Sequence, residues 1–194
     1  AVSAFQEGSA NDWQVDWIES AVVTLEAMAS GRMKIDGEFG DWDEAIAAGD
    51  AVNVNDPADM ADSSGDLKQI QATVENGNLY LRMAVHGVIM PSVDETPAGM
   101  QNRYYYHWLL DTDNNPATGR SNSEYEGNPT NLQNPIGYEL VVMIAWGDGL
   151  PGNIEVYDAL DDSNIILTDF EFMPGGDSVE AKLPMADLGL IDGQ

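Results

Sequence analysis

Apolar positions along this chain follow two different periods. In the first thirty residues Val15, Ile18, Val22, Leu25 and Ala29 recur at three-four spacing, which places them on one helical face. Ser9 or Asn11 offers a cap at the start, and Gly31 stands where such a helix would stop. The pattern predicts an amphipathic helix over Asp12 to Ala29. A strand through Ala21 to Ala27 competes with it, because Val22, Val23 and Thr24 favour sheet.

From Arg32 onward the period drops to two and turn residues arrive at short intervals. Arg32 to Asp36 reads as a short strand closed by Gly37. Leu67 to Glu75 and Leu79 to Val85 alternate apolar and polar residues around Asn76-Gly77, the strongest short hairpin signal in the chain. Tyr104 to Leu110, Tyr138 to Trp146, Ile154 to Ala159, Ile165 to Phe172 and Ser178 to Leu183 complete about eight strands. Glycine and proline cluster between these segments rather than inside them. No helical run alternates with the strands, so the expected class is mainly β with antiparallel sheets. The pattern divides the chain into an extension over residues 1 to 31 and a β domain over residues 32 to 194.

Composition changes this picture mainly through charge. Asp and Glu number 34 against 7 Lys and Arg, a formal net charge of -27. Nucleic acid and anionic membranes need a basic footprint, so neither is an expected partner. From Ile35 to Leu67 there are ten acidic side chains and no basic one, so bound cations or external salt would relieve strong self-repulsion. A solvated acidic surface accounts for the same residues. With no cysteine, disulfides, thiol nucleophiles and thiolate metal sites are excluded. The longest apolar run, Leu140 to Trp146, is far short of the roughly 20 residues of a membrane helix, so insertion is not expected. The chain starts at Ala1 rather than methionine, as a processed product or an excerpt of something longer does.

The segment Asp111-Thr-Asp-Asn-Asn-Pro-Ala-Thr-Gly119 follows directly on the aromatic strand. Alternating oxygens at Asp111, Asp113 and Asn115 can converge on one hard cation, since calcium takes six to eight oxygen ligands in irregular geometry. It is not an EF-hand, because Pro116 stands at the sixth position and Asn122 at the twelfth. An Asx-turn closing a hairpin without an ion is the plainer account. A second acidic loop, Asn55 to Asp66, carries Asp56, Asp59, Asp62 and Asp66 at no recognised ligand spacing.

Several of these pieces together resemble family 9 carbohydrate-binding modules and their DOMON-like relatives. Met33-Lys-Ile-Asp-Gly-Glu-Phe-Gly-Asp-Trp-Asp-Glu44, Gly65-Asp-Leu before a strand carrying Leu79-Tyr-Leu-Arg82, Leu110 to Gly119, Gly137-Tyr-Glu-Leu140 and Val179 to Gly189 follow in the order seen there. The likeness spans about residues 32 to 190. It implies a two-sheet, jelly-roll-like antiparallel β-sandwich, a bound calcium, and frequently a sugar site lined by aromatic rings. Asp111 and Asp113 match the family's acidic turn and Glu139 an acidic position two residues past a glycine, which makes them the metal candidates together with Asn115. Glu180 matches an acidic position in the closing strand, with a structural role. Relatives that hold haem through methionine, histidine or lysine make Met83, Met90 and Met100 formal candidates, although methionine commonly fills gaps in cores.

Sugar rings stack on flat aromatic faces while their hydroxyls take hydrogen bonds. In Tyr104 to Leu110, Tyr104, Tyr106, Trp108 and Leu110 share the face expected to be core, leaving Tyr105 and His107 for an exposed face. Trp146 and Tyr125 join them as aromatic ligand candidates. For each, ordinary packing or an isolated exposed ring is the simpler account. Catalysis finds little support: His86 and His107 lie on different strands, and no G-x-S-x-G, phosphate loop or H-E-x-x-H occurs. The expected protein is therefore a non-catalytic, secreted or cell-surface module binding polysaccharide or a cell-surface glycan. The alternative is a structural cell-surface or filament subunit. In the resembled domains one more strand follows the segment matching Leu183 to Gly189, whereas this sequence stops at Gln194. Either the protein continues, or a neighbouring copy fills the gap with residues 1 to 30 by strand addition.

Overall fold

The computed structural model describes residues 2–6, 14–18, 31–89, 104–120, 124–125, 128–129, 137–147 and 150–190. In chain order the elements are β1 (Val2–Gln6), β2 (Gln14–Ile18), α1 (Gly40–Ala48), β3 (Val52–Asn55), β4 (Leu67–Glu75), β5 (Asn78–Val85), β6 (Tyr104–Leu110), β7 (Glu124–Tyr125), β8 (Asn128–Pro129), β9 (Leu140–Gly147), β10 (Leu150–Asp158), β11 (Glu171–Gly175) and β12 (Ser178–Pro184). One five-stranded sheet runs β10-β9-β6-β1-β2 and the other β11-β12-β5-β4-β3. Every pairing in both is antiparallel. The chain is mainly β, as the period-two text predicts.

Alternation builds the core. Leu67, Ile70, Val74, Leu79, Leu81 and Met83 from one sheet and Tyr106, Trp108, Val142, Ile144 and Val156 from the other form a single buried cluster between the sheets. Such inner faces a layer apart define a sandwich. The β4–β5 hairpin turns where expected: Asn76 and Gly77 both have positive φ, 52° and 73°, the backbone a two-residue type I′ turn requires.

The outer face of the second sheet is roofed by residues 32 to 48. Arg32 and Met33 donate their backbone N–H groups to the Glu75 carboxylate, and Asp36 and Gly37 donate theirs to Glu180 at 2.8 Å each. Arg32 to Asp36 is therefore not the predicted strand, because carboxylates on the sheet take the donors that a ladder would have used. The α1 helix that follows buries Trp42 and Ala45 against Met33 and Tyr80, and Trp42 Nε1 gives Glu180 a third hydrogen bond at 3.0 Å. Glu180 is completely buried, and burial raises its pKa above the ordinary carboxyl value despite these donors. Beside it the Arg82 guanidinium lies 4.2 Å from the centre of the Phe39 ring and donates to Gln71 and Ser178. The structural part expected of Glu180 is what the fold gives it.

Two further expectations need correction. The extension is not helical where it is described. Gln14 to Ile18, inside the predicted helix, is strand β2 paired with β1, and β1 pairs with β6 from Val2 opposite Trp108 to Gln6 opposite Tyr104. Gln14 to Trp17 also alternate at period two, and β1, paired on its other side with β6, supplies a ladder that local helix propensity does not outweigh. Residues 19 to 30 of that expectation lie outside the described residues. The strand expected over Ile165 to Phe172 begins only at Glu171: Ile165 N–H bonds Val156 of β10 next to an isolated bridge between Tyr157 and Asn164, and Thr168 N–H then goes to the Asp187 side chain instead of continuing a ladder. Residues 2–6 lie in the first sheet of their own chain as β1, between β6 and β2. No helix among the described residues is long and apolar enough to cross a membrane.

Candidate functional site

Where β6 ends, the chain enters the Asp111 to Gly119 loop and then forms a two-way bridge between Arg120 and Tyr138, with N–H to O distances of 2.8 and 3.1 Å. The bridge brings Glu139, 28 residues further on in sequence than Asp111, against the loop. One ligand oxygen each from Asp111, Asp113 and Glu139 then lies within 4.8 Å of the others. These are the three acidic metal candidates read from the sequence.

The loop is built to present them. Asp111 Oδ1 accepts the backbone N–H groups of Asp113 and Asn115, both at 3.3 Å, and Thr118 Oγ1 donates to Asp113. Glu139 Oε2 accepts from Thr112 N at 2.8 Å and Thr112 Oγ1 at 3.1 Å, whereas its Oε1 is buried with no hydrogen-bond partner. At Gly119, φ is +65° and a Cβ would stand 2.6 Å from that same Oε1, so only glycine lets the loop lie this close. Arg120 turns its guanidinium to Asp162 at 2.9 Å, and among the described residues no ion pair reaches the three carboxylates. A buried carboxylate oxygen that meets no donor, beside two further acidic groups, could hold a metal ion. Asn115 has a different part: its Oδ1 accepts Ala117 N–H at 3.2 Å and its carbonyl accepts from Thr118, the bonding of the turn itself.

A second acidic group, Asp56, Asp59 and Asp66, meets the same distance condition. It comes from the Asn55 to Asp66 loop, whose sequence spacing gave no pattern to recognise. Two acidic clusters can therefore hold a metal ion.

The aromatic candidates fare differently. Tyr105 is partly exposed on the outer face of the first sheet. His107 shares that face but is only 1% exposed, and burial pushes its imidazole pKa down to about 3, so it is a neutral interior group and not a surface ligand. Alternation assigned its face correctly and its exposure wrongly. Leu109, Val141, Tyr138 and Ala159 form a third buried cluster beyond it, so this outer face is partly covered as well. Trp146 stands on β9 opposite Tyr104 and Pro151, and Tyr125 on β7 opposite Asn128. Their side chains lie outside the described residues, as do Met90 and Met100. Met83 is fully buried in the inter-sheet core.

No known protein family, curated protein or solved structure matches this chain.

Proposed function

We propose that this chain is a non-catalytic, extracellular carbohydrate-binding module stabilised by calcium held at Asp111, Asp113 and Glu139. The observation that carries the calcium is Glu139 Oε1, buried, unbonded and facing two other acidic groups. All-oxygen donors on an irregular loop favour calcium over the softer transition metals. The glycan rests on the ordered resemblance to family 9 carbohydrate-binding modules, with the sandwich and the partly exposed Tyr105 in support.

Two measurements test this reading. Calcium is expected to raise the melting temperature, by the equivalent of about 2.7 kcal/mol at a hundredfold excess over its dissociation constant. Asp113→Ala should remove most of that rise, and a melting curve unchanged by chelator removes calcium from the proposal. Depletion onto insoluble polysaccharide, together with a glycan array run with and without calcium, tests the ligand. Tyr105→Ala is expected to weaken retention while leaving the fold intact.

A second reading, a cell-surface assembly subunit, is favoured by one feature. Of the five large hydrophobic side chains exposed among the described residues, Leu160, Ile166, Phe170 and Met173 fall between β10 and the middle of β11, with Ile166 83% exposed. That segment joins the edge strands of the two sheets. Exposed apolar groups gathered in this way mark contact surfaces. Homopolymer that sediments, combined with failure to bind any glycan, would replace the first reading with this one.

A further inference from the structure

Resting on the glycan reading above, we infer that the second sheet carries a second contact face for a neutral glycan at its β3 edge, presented by the Asn53 and Asn55 carboxamides and oriented by Arg82. This face lies on the other sheet from Tyr105, beyond the 32-to-48 roof.

Arg82 is the starting point. It is only 9% exposed, and among the described residues it forms no ion pair, although the chain carries a net charge of -27. Asp177, Asp43 and Glu180 act on it only from beyond ion-pair distance. Its Nε is buried with no hydrogen-bond partner. The other two nitrogens meet neutral acceptors: Nη1 donates to Gln71 Oε1 at 2.7 Å and to Gln69 Oε1 at a long 3.5 Å, and Nη2 donates to Ser178 Oγ at 3.0 Å. A guanidinium withdrawn from water without a paired carboxylate is destabilising, so packing alone does not account for it.

Arg82 sets the direction of two amide relays. A guanidinium donates only, so both glutamines turn their oxygens to it and their amino groups away. Gln71 Nε2 then donates to Asn53 Oδ1 at 3.2 Å, and Gln69 Nε2 to Asn55 Oδ1 at 2.9 Å. These partners stand directly across the ladder, Asn53 opposite Gln71 and Asn55 opposite Gln69. Each asparagine oxygen is thereby engaged, and each Nδ2 remains a donor with no partner among the described residues. Both asparagines are exposed, and their two-residue spacing along one strand separates them by about 6.5 Å.

Two uncharged donors of fixed direction match an uncharged, acceptor-rich chain, the hydroxyl and ring oxygens of a neutral polysaccharide. The second lone pair of each Asn Oδ1 can accept a sugar hydroxyl beside its Nδ2. An anionic chain is disfavoured, because Asp50 and Asp56 flank β3 on a strongly acidic protein. Faces on both sheets let one module bridge two polysaccharide chains, each contact raising retention through the other by effective concentration.

Binding isotherms on insoluble polysaccharide test this. Asn53→Asp and Asn55→Asp keep the side-chain shape and the oxygen that accepts from glutamine, but replace the outward amino group by an oxygen. Each is expected to weaken retention about three- to tenfold with an unchanged melting temperature, and to multiply with the loss in Tyr105→Ala. Arg82→Lys keeps a donor for Gln71 and should hold retention, whereas Arg82→Met donates nothing and should lower it. A purely structural Arg82 would instead lower the melting temperature in both while the folded fraction binds as the parent does, which overturns the part given to Arg82. Undiminished retention in the Asn53→Asp, Asn55→Asp double variant of a parent that binds overturns this inference and leaves the glycan reading standing. A parent that no polysaccharide retains overturns both.

Discussion

His107 ties burial in this sandwich to a measurable dependence on pH. Its imidazole is enclosed on β6, and burial alone lowers its pKa from the ordinary 6.5 to about 3. The unfolded chain therefore takes up a proton near pH 6.5 that the folded chain refuses until about pH 3. Stability from this group is fully present above pH 6.5 and is lost as pH falls through the window between those values. One pKa unit corresponds to about 1.36 kcal/mol, so the parent should lose about 2 kcal/mol from this source between pH 7 and pH 5. His107→Gln keeps a neutral polar side chain of similar size and removes the titration. Other groups move over the same range: burial holds Glu180 above its ordinary 4.5, so its contribution falls as pH rises through the region just above that value. Calcium occupancy of carboxylates also changes with pH. The informative quantity is therefore the difference between variant and parent in urea unfolding, at pH 7 and pH 5, with calcium fixed. That difference should shift by about 2 kcal/mol in favour of the variant at the lower pH. Parallel profiles would refute the reasoning and mean that the folded protein accepts the proton.

Glu180→Ala would leave the N–H groups of Asp36 and Gly37 and Trp42 Nε1 without their acceptor beneath the roof, an expected loss of about 3 to 5 kcal/mol in chemical denaturation. A loss under about 1 kcal/mol would mean that the 32-to-48 segment lifts and finds water instead. Gly119→Ala places a methyl group 2.6 Å from Glu139 Oε1 at a positive φ, so it should lower both the melting temperature and calcium affinity. Unchanged calorimetric affinity in that variant would separate Glu139 from the metal.

The strands facing the core were legible because alternation is a local property. Leu67 to Glu75, Leu79 to Val85 and Tyr104 to Leu110 coincide with, or fall within one residue of, β4, β5 and β6, and Asn76-Gly77 turns where its backbone preference places it. Asp111, Asp113 and Glu139 were legible as candidates from residue type and resemblance, yet only the Arg120–Tyr138 bridge brings Glu139 to the loop. What stayed hidden depended on partners distant in sequence. Gln14 to Ile18 carries apolar residues readable at either period, and pairing with β1, itself laid against β6, makes it strand. The 32-to-36 segment carries strand residues, but its donors are claimed by Glu75 and Glu180, which no local pattern reveals. Helix α1 is short and acidic, with Trp42 and Ala45 alone fully buried, too little periodicity to read. His107 sits at an outward register position, and only packing beyond its own strand decides that this position is interior. Asp66 is one acidic residue among many until tertiary structure withdraws it from water, because burial and pairing belong to the whole fold rather than to any window of sequence.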